Sequence, residues 1–267
     1  MDNRAIGVFD SGLGGLTAVK ELQKIVPNEQ IVFLGDTARV PYGSHDRKTI
    51  CEYARDDISF LLSHNVKMII AACGTVSSNF PKEEIDLLPV PFIGILHPTV
   101  DAAIKATRNR KIGVIGTEAT IRSGAFEREI AIADPGITVV SKACPLFVPL
   151  VESGCTSENN QFVLNTTEEY LETIMEAGCD TVVLGCTHYP HLAGAIKKVL
   201  GNNIVLINSG KETAVAAARL LASEGLETSL HEGSTQYFVT KQPDNFLEKA
   251  SFLLGDDISQ HILEVTI

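Results

Sequence analysis

Short β-branched runs alternate with longer amphipathic stretches along almost all of the 267 residues. The runs predict β-strands at residues 5–9, 30–34, 68–72, 92–96, 111–115, 138–141, 181–184, 204–207 and 236–240. Most of them are continuously apolar, which is typical of parallel strands that helices cover on both faces. Apolar residues recur at helical spacing between the runs, and helices are predicted around residues 16–25, 47–62, 157–177 and 214–221. This order of elements indicates an α/β fold with mostly parallel sheets.

A weak internal repeat indicates that the same unit occurs twice. Residues 6–11 (IGVFDS) resemble residues 112–117 (IGVIGT), and residues 68–73 (MIIAAC) resemble residues 181–186 (TVVLGC). In each half one strand ends in a hydroxyl residue and a later strand ends in a cysteine. We therefore expect two similar α/β domains related by a pseudo-twofold axis, the first from residues 1–96 plus 209–267 and the second from residues 97–208.

Polar residues at the ends of the predicted strands indicate a ligand site between the two domains. Ligands of parallel α/β sheets bind beyond the carboxyl ends of the strands. The residues at such positions are Asp10-Ser11, Asp36-Thr37, Cys73-Gly74-Thr75, Thr117 and Cys186-Thr187-His188. A single polar residue at a strand end is ordinarily a helix cap, but its repetition in both halves favours one cleft lined by these groups.

Composition restricts the partners of this site. The formal net charge of −11 argues against nucleic acid, which needs a basic footprint. An anionic ligand would have to be held by local donors such as backbone N–H groups and hydroxyls, because the overall field repels it. No apolar run approaches the ~20 residues that span a bilayer, and the first residues show no signal-peptide pattern. We expect a cytoplasmic protein with no membrane partner.

The cysteines stand at positions 51, 73, 144, 155, 179 and 186 and include no C-x-x-C pair, so structural zinc and thioredoxin-like redox chemistry are poorly supported. A buried cysteine ordinarily acts as a small hydrophobic residue. Cys73 and Cys186 differ because each is predicted at a strand-to-helix turn, where a helix N-terminus lowers the pKa of a thiol. The other four lack this context and are expected to be structural.

Two such thiols in matching places of a repeat indicate two-base chemistry at a carbon acid. One thiolate would remove an α-proton while the opposing thiol protonates the other face, which inverts the stereocentre. A redox pair of Cys73 and Cys186 is an alternative, as is a nucleophilic thiol with His188 as its base. The redox pair has no support from the spacing, and the nucleophile leaves one cysteine without a role.

Three further residues could assist the thiols. Asp10 closes an apolar strand, Glu152 ends the apolar residues 148–151, and His188 directly follows Cys186-Thr187. Taken singly, Asp10 would be interpreted as a helix cap, Glu152 as a turn residue and His188 as a polar surface residue. The glycine-rich residues 12–15 also follow a strand, but Thr17 interrupts the G-x-G-x-x-G spacing of dinucleotide sites. No zinc, P-loop or pyridoxal-lysine pattern is found, so we expect no cofactor and no metal.

Several segments resemble the signature sequences of glutamate racemases. They are residues 7–17 (GVFDSGLGGLT), 35–37 (GDT), 41–43 (PYG), 112–117, 148–154 and 182–190 (VVLGCTHYP). The Cys-Thr-His-Tyr-Pro string is highly specific, and the similarity runs over nearly the full chain. The resemblance implies two α/β domains with a cleft between them, the first completed by the C-terminal segment. It also implies conversion of L- to D-glutamate for peptidoglycan without pyridoxal phosphate or a metal.

The resemblance also implies roles for individual residues. The family cysteine matching Cys73 acts on D-glutamate, the one matching Cys186 acts on L-glutamate, and the positions matching Asp10, Glu152 and His188 assist them. The residues assigned to substrate binding are Asp10, Ser11, Tyr42, Gly43, Gly74, Thr75, Thr117, Thr187 and His188. One position departs from the family pattern, because the first thiol is usually followed by asparagine and here by Gly74, which offers only its backbone N–H. Ser77 or Ser78 could compensate.

Three alternatives stay open on the sequence alone. The first is a related two-cysteine racemase acting on aspartate or another amino acid, the second a non-catalytic amino-acid-binding protein of the same fold, and the third a thiol redox protein. Retention of both thiols argues against a protein that only binds, since binding needs neither. We expect a homodimer that acts on glutamate and binds no nucleic acid.

Overall fold

Two parallel β-sheets form the frame of the protein, whose computed structural model describes residues 1–242, 246–255 and 262–267. The strands are β1 (Ile6–Asp10), β2 (Ile31–Gly35), β3 (Met68–Ala71), β4 (Phe92–Gly94), β5 (Lys111–Gly116), β6 (Thr138–Ala143), β7 (Thr181–Leu184), β8 (Val205–Asn208), β9 (Thr235–Val239) and β10 (Ile262–Glu264). The first sheet has the order β10-β9-β2-β1-β3-β4 and the second the order β6-β5-β7-β8.

The helices pack around these sheets. They are α1 (Leu16–Ile25), α2 (Arg47–Ser63), α3 (Gly74–Asn79), α4 (Lys82–Ile85), α5 (Leu96–Ala106), α6 (Glu118–Ser123), α7 (Ala125–Ala133), α8 (Phe147–Glu152), α9 (Gln161–Ala177), α10 (Ala193–Leu200), α11 (Ser209–Ser223) and α12 (Phe246–Leu254). Short 3₁₀ turns lie at Tyr42–Ser44 and Tyr189–Leu192. Among the described residues, no helix has both the length and the apolar character needed to cross a membrane.

Parallel pairing places the strand ends of each sheet along one edge. β1 lies between β2 and β3, with Phe9 opposite Leu34 on one side and Ala71 on the other. In the second sheet β5 lies between β6 and β7. All residues of β1, β2, β3 and β7 are buried, as expected for strands covered on both faces. The predicted α/β fold with parallel sheets is confirmed.

Local side-chain chemistry explains several element boundaries. α1 buries Leu16, Val19 and Leu22 at helical spacing. α9 begins at Gln161, four residues later than predicted, because the Asn160 side chain caps it by accepting from the N–H groups of Phe162 and Val163.

Two further boundaries differ from the prediction. The strand predicted at residues 92–96 ends at Gly94, and Leu96 instead begins α5. β10 was not predicted, because its three residues are partly or fully exposed and carry no continuous apolar pattern.

The two sheets draw on different parts of the chain. Strands of the first sheet come from residues 6–94 and 235–264, and those of the second from residues 111–208. Helices α5 and α11, which begin at Leu96 and Ser209, pack against each other where the chain passes between the sheets. We propose on this basis that residues 1–96 plus 209–267 and residues 97–208 are the two domains.

Candidate active site

A cavity of about 720 Å³ lies where the strand ends of the two sheets face each other. The predicted site residues that line it are Ser11, Tyr42, Gly43, Cys73, Gly74, Thr75, Thr117, Glu152, Cys186, Thr187 and His188. They come from the segments that follow β1, β3, β5 and β7, from the 3₁₀ turn Tyr42–Ser44 and from the end of α8. The fold therefore brings residues far apart in sequence to one space, as the strand-end pattern predicts.

Cys73 lies on the wall contributed by the first sheet, directly after β3 and before α3. It is 4% exposed, and its Sγ donates to Ser11 Oγ at 3.4 Å. Burial raises the pKa of the Cys73 thiol to about 12, and the nearby Asp10 carboxyl adds to the rise. The expectation that a helix N-terminus lowers this pKa is wrong, because loss of hydration outweighs the hydrogen bonds that the sulfur makes with the Ser11 side chain and the Val76 backbone.

Asp10 lies beneath this wall and does not line the cavity. Its Oδ2 accepts from the N–H groups of Gly12 (3.2 Å) and Gly15 (3.0 Å), whereas its buried Oδ1 has no partner among the described residues. Burial raises the pKa of Asp10, and the positive charge of His188 opposes that rise. The Cys73 side thus contains a buried carboxyl with one oxygen available to exchange a proton.

Cys186 lies on the opposite wall in a chain of polar contacts. Its Sγ is 3.8 Å from His188 Nδ1, and His188 Nε2 is 3.3 Å from Glu152 Oε1. Burial alone would lower the pKa of His188, but the hydrogen bonds to Cys186 and Glu152 outweigh it and raise this pKa to about 10. The His188 hydrogen bond in turn lowers the pKa of Glu152. His188 is therefore an imidazolium at neutral pH, and its Nδ1 lies beside the Cys186 sulfur.

The chain after Cys186 also differs from the sequence prediction. β7 ends at Leu184, a turn carries Cys186 to His188, the 3₁₀ turn Tyr189–Leu192 follows, and α10 begins only at Ala193. Cys186 therefore does not lie at the N-terminus of an α-helix. Its electrostatic partner is the side chain of His188.

The two walls meet in close contacts at the edge of the cavity. Thr75 Oγ1 and Thr117 Oγ1 are 3.0 Å apart, and Thr17 Oγ1 donates to the carbonyl of Thr187 at 2.9 Å. A Cβ on Gly14 would lie 2.5 Å from the His188 ring, so only glycine lets this turn approach the histidine. Sequence reasoning assigned no role to Gly14 or Thr17, since a contact with a distant part of the chain leaves no local pattern.

Gly74 makes the tightest of these approaches. A Cβ at this position would lie 2.1 Å from the carbonyl oxygen of Gly185, the residue before Cys186. Ser77 and Ser78 do not line the cavity, and Ser77 instead donates to the carbonyl of Ala71 and accepts from the N–H of Ile95. Neither serine compensates for the missing asparagine. The absence of a side chain at Gly74 lets the two thiol-bearing turns come together.

We expect Gly74→Ala to lower kcat/KM of the reaction at this site about tenfold or more, because a shift of ~1 Å between reacting groups is costly. Backbone must yield to the added methyl group, which separates the Cys73 and Cys186 turns. The matched control is Gly194→Ala in α10, where the new Cβ meets only the flexible Glu158 carboxylate at 2.4 Å. Steady-state kinetics of both variants provide the measurement, and full activity of Gly74→Ala would contradict this role of the glycine.

Some polar strand ends lie elsewhere than predicted, and some wall residues were not predicted. Asp36 and Thr37 do not line the cavity, because Asp36 is fully buried behind Tyr42. The residues missed by sequence reasoning include Cys144, Val148, Glu248, Lys249, Phe252 and Leu253. Most of this set belongs to α12, for which the sequence analysis predicts neither the helix nor its place at the cavity wall.

Comparison with known proteins agrees with this geometry. A sequence model of the Asp/Glu/Hydantoin racemase family matches residues 16–217. The glutamate racemase of Geobacter metallireducens is 41% identical over 265 residues, which cover 98% of this chain and 97% of that protein.

Solved structures show the same likeness. The glutamate racemase isoform RacE1 from Bacillus anthracis superposes with a TM-score of 0.95 at 34% identity, covering 100% of this chain and 99% of that chain. The glutamate racemase of Francisella tularensis in complex with D-glutamate superposes with a TM-score of 0.93 at 35% identity, covering 100% and 98%. The resemblance expected from the sequence motifs is confirmed.

Proposed function

The chain belongs to the Asp/Glu/Hydantoin racemase family, and we propose that it interconverts L- and D-glutamate through two thiol acid/base groups, Cys73 and Cys186. It is an amino-acid racemase, an isomerase of the glutamate racemase type. The observation that carries the mechanism is that one cavity holds two thiols on opposite walls, each beside its own ionisable partner.

Reaction from L-glutamate begins with the Cys186 thiolate, which the His188 imidazolium stabilises. The thiolate removes the α-proton, and the Cys73 thiol delivers a proton to the opposite face of the planar intermediate, which leaves Cys73 as the thiolate. The raised pKa of Cys73 makes it a weak acid at rest, so the proton moves only to a strongly basic carbanion. Reaction from D-glutamate is the reverse, with Cys73 as the base and Cys186 as the acid.

Asp10 and the pair Glu152–His188 restore the thiols between turnovers. We assign Asp10 to Cys73 because the charge of its carboxyl acts on this thiol and its Oδ1 has no hydrogen-bond partner among the described residues. The hydrogen bond from His188 to Glu152 holds the imidazolium against Cys186. Each thiol thus has a separate group that sets its protonation state, which supports the assignment of opposite faces of the substrate to the two cysteines.

Most of the donors around the two thiols are uncharged, and Lys249 of α12 also lines the cavity. The cavity wall offers hydroxyls and backbone N–H groups from Ser11, Gly43, Gly74, Thr75, Thr117 and Thr187. These groups suit the two carboxylates of glutamate in a chain whose net charge of −11 repels anions. The mechanism uses no cofactor and no metal.

We expect the purified protein, with no cofactor added, to racemise both L- and D-glutamate and to incorporate deuterium at the α-carbon in D₂O. Loss of the circular dichroism signal follows racemisation, and proton NMR follows the exchange. A Cys73→Ala/Cys186→Ala double variant is the control for uncatalysed exchange. Turnover of aspartate without turnover of glutamate would contradict the substrate and favour the related aspartate racemases.

The cellular setting is part of the proposal. D-glutamate is a building block of peptidoglycan, so the reaction supplies cell-wall synthesis from the cytoplasm, where its precursors are assembled. A homodimer that binds a small-molecule substrate and no nucleic acid is the expected form of the enzyme, and sedimentation at micromolar concentration tests the dimer.

A further inference from the structure

Tyr42 connects the cavity wall to a buried charged cluster behind it. The side chain is 1% exposed, and its hydroxyl contacts the Oδ2 atoms of two carboxyls, Asp36 directly after β2 and Asp57 in α2, the latter at 3.0 Å. Both carboxyl side chains are fully buried, and neither takes part in the chemistry proposed above. A buried cluster of this kind is stable only if each ionised carboxylate has a positive partner and each polar atom has a hydrogen-bond partner.

Asp36 is surrounded by donors. Its Oδ2 accepts from Arg39 Nε at 2.5 Å and from the Tyr42 hydroxyl, and its Oδ1 accepts from Thr240 Oγ1 at 2.7 Å. These contacts occupy both oxygens of the carboxyl with positive or neutral donors. Asp36 is therefore the ionised member of the cluster.

Asp57 has a different environment. Its Oδ1 is 3.4 Å from Arg39 Nη2, a long contact, and its Oδ2 faces the Tyr42 oxygen. A phenol carries one proton and cannot donate to two carboxylates at once. Since the Tyr42 proton is directed to Asp36, the contact with Asp57 becomes a hydrogen bond only if Asp57 carries a proton of its own.

We propose that Asp57 is a positioning residue that is protonated at neutral pH, donates to the Tyr42 hydroxyl, and so fixes the loop that forms one wall of the glutamate cavity. The proton runs in one direction, from Asp57 to Tyr42 and from Tyr42 to the ionised Asp36. The Asp36 carboxylate is then the one buried negative charge of the cluster, and the Arg39 guanidinium neutralises it.

The surrounding charges support this protonation. Burial raises the pKa of Asp57 well above its ordinary value, the charge of Asp36 raises it further, and Arg39 only partly opposes both. Burial likewise raises the pKa of Tyr42, so the phenol keeps its proton. A further acidic neighbour, Asp56, lies on the solvent side of the cluster, where its Oδ2 is 2.7 Å from Arg39 Nη1. This ion pair offsets part of the positive charge of Arg39, so Arg39 stabilises a charge on Asp57 less.

The Tyr42 loop matters for the reaction because it presents Gly43 to the cavity. A Cβ on Gly43 would lie 2.8 Å from Thr117 Cβ, so the loop packs directly on the opposite wall. Thr117 in turn bonds to Thr75, the second residue after Cys73. A displaced Tyr42 therefore moves the wall that holds a substrate carboxylate without touching either thiol; that consequence rests on the proposed function.

The test compares Asp57→Asn with Asp57→Leu. An asparagine amide donates to Tyr42 as a protonated carboxyl does, so we expect KM for glutamate to stay within about twofold of wild type. Leucine removes the donor and leaves a buried oxygen unsatisfied, which we expect to raise KM about tenfold while kcat changes little. Asp56→Asn and Asp56→Leu are matched controls, because Asp56 also pairs with Arg39 but is 52% exposed and does not bond to Tyr42.

Infrared difference spectroscopy of the substrate-free protein measures the proton directly. We expect a protonated-carboxyl stretch at neutral pH that is absent from Asp57→Asn, retained in Asp56→Asn, and shifted in Tyr42→Phe, which keeps the ring and removes the acceptor. The proposal is overturned if the band is absent from wild type, or if Asp57→Asn raises KM as much as Asp57→Leu. Because the band needs no substrate, a protein that shows it but does not racemise glutamate would refute the proposed function alone.

Discussion

Cys73→Ala and Cys186→Ala are each expected to reduce glutamate racemisation about a thousandfold, the middle of the range for loss of a general acid/base group. Inversion needs a proton removed on one face and delivered on the other, so one remaining thiol cannot replace its partner. The two thiols lie on opposite walls with different ionisable neighbours, Asp10 for Cys73 and His188 for Cys186.

Proton exchange distinguishes the two variants. With Cys186 removed, Cys73 can still remove and return the α-proton of D-glutamate, so we expect slow deuterium incorporation into the D-enantiomer with retention of configuration. Cys73→Ala should show the converse with L-glutamate. Cys155→Ala is the matched control, because Cys155 is partly exposed and does not line the cavity. Substantial racemisation by either single variant, or the same enantiomer preference in both, would be incompatible with two opposed bases.

His188→Asn is expected to lower kcat/KM about a hundredfold, within the range for loss of an acid/base group. The equilibrium constant between enantiomers is one, so the loss must be equal in both directions. Without the imidazolium, a Cys186 thiolate would be buried beside the polar side chain of asparagine and would lose the positive charge of His188. The variant should remain folded, since the asparagine amide takes the place of the His188 Nδ1 edge and the Glu152 side chain, which is 30% exposed, can be hydrated instead.

The pH dependence provides a second readout for His188. Its pKa is raised to about 10, so the imidazolium is present at every lower pH and is lost as the pH rises through about 10. We therefore expect kcat/KM of the wild type to fall above pH 10 and this alkaline decrease to be absent in His188→Asn. Glu152→Gln should move the decrease to lower pH, because it removes a hydrogen-bonding carboxylate that helps to raise the pKa of His188.

His191→Asn is the matched control for these measurements. Burial lowers the pKa of His191 to about 4, so this histidine is neutral throughout the working range. It does not line the cavity, and its ring contacts Phe252 of α12. If kcat/KM of His191→Asn falls at alkaline pH as in wild type while that of His188→Asn does not, the titrating group is His188. An alkaline decrease in His188→Asn identical to that of wild type would assign it to another residue.

The sequence by itself determined the class of fold and the pair of thiols. Continuous apolar runs such as β1 and β7 can be satisfied only as strands buried on both faces, and a cysteine at the end of such a strand must lie at the ligand-binding edge of a parallel sheet. The repeat placed the two cysteines in equivalent positions. An apolar run and the cysteine that ends it are neighbours in the chain, so both can be recognised from the sequence alone.

Only the tertiary structure decided how each group behaves. Cys73 and Cys186 have similar sequence contexts, yet burial raises the pKa of one while an imidazolium lies beside the other. Asp36 and Thr117 both follow strands, yet the first supports Tyr42 from behind and the second lines the cavity. Gly74 approaches Gly185, a residue more than one hundred positions away in the chain. Protonation states and close contacts depend on which distant groups share a low-dielectric space, and that is determined only when the two halves of the fold come together.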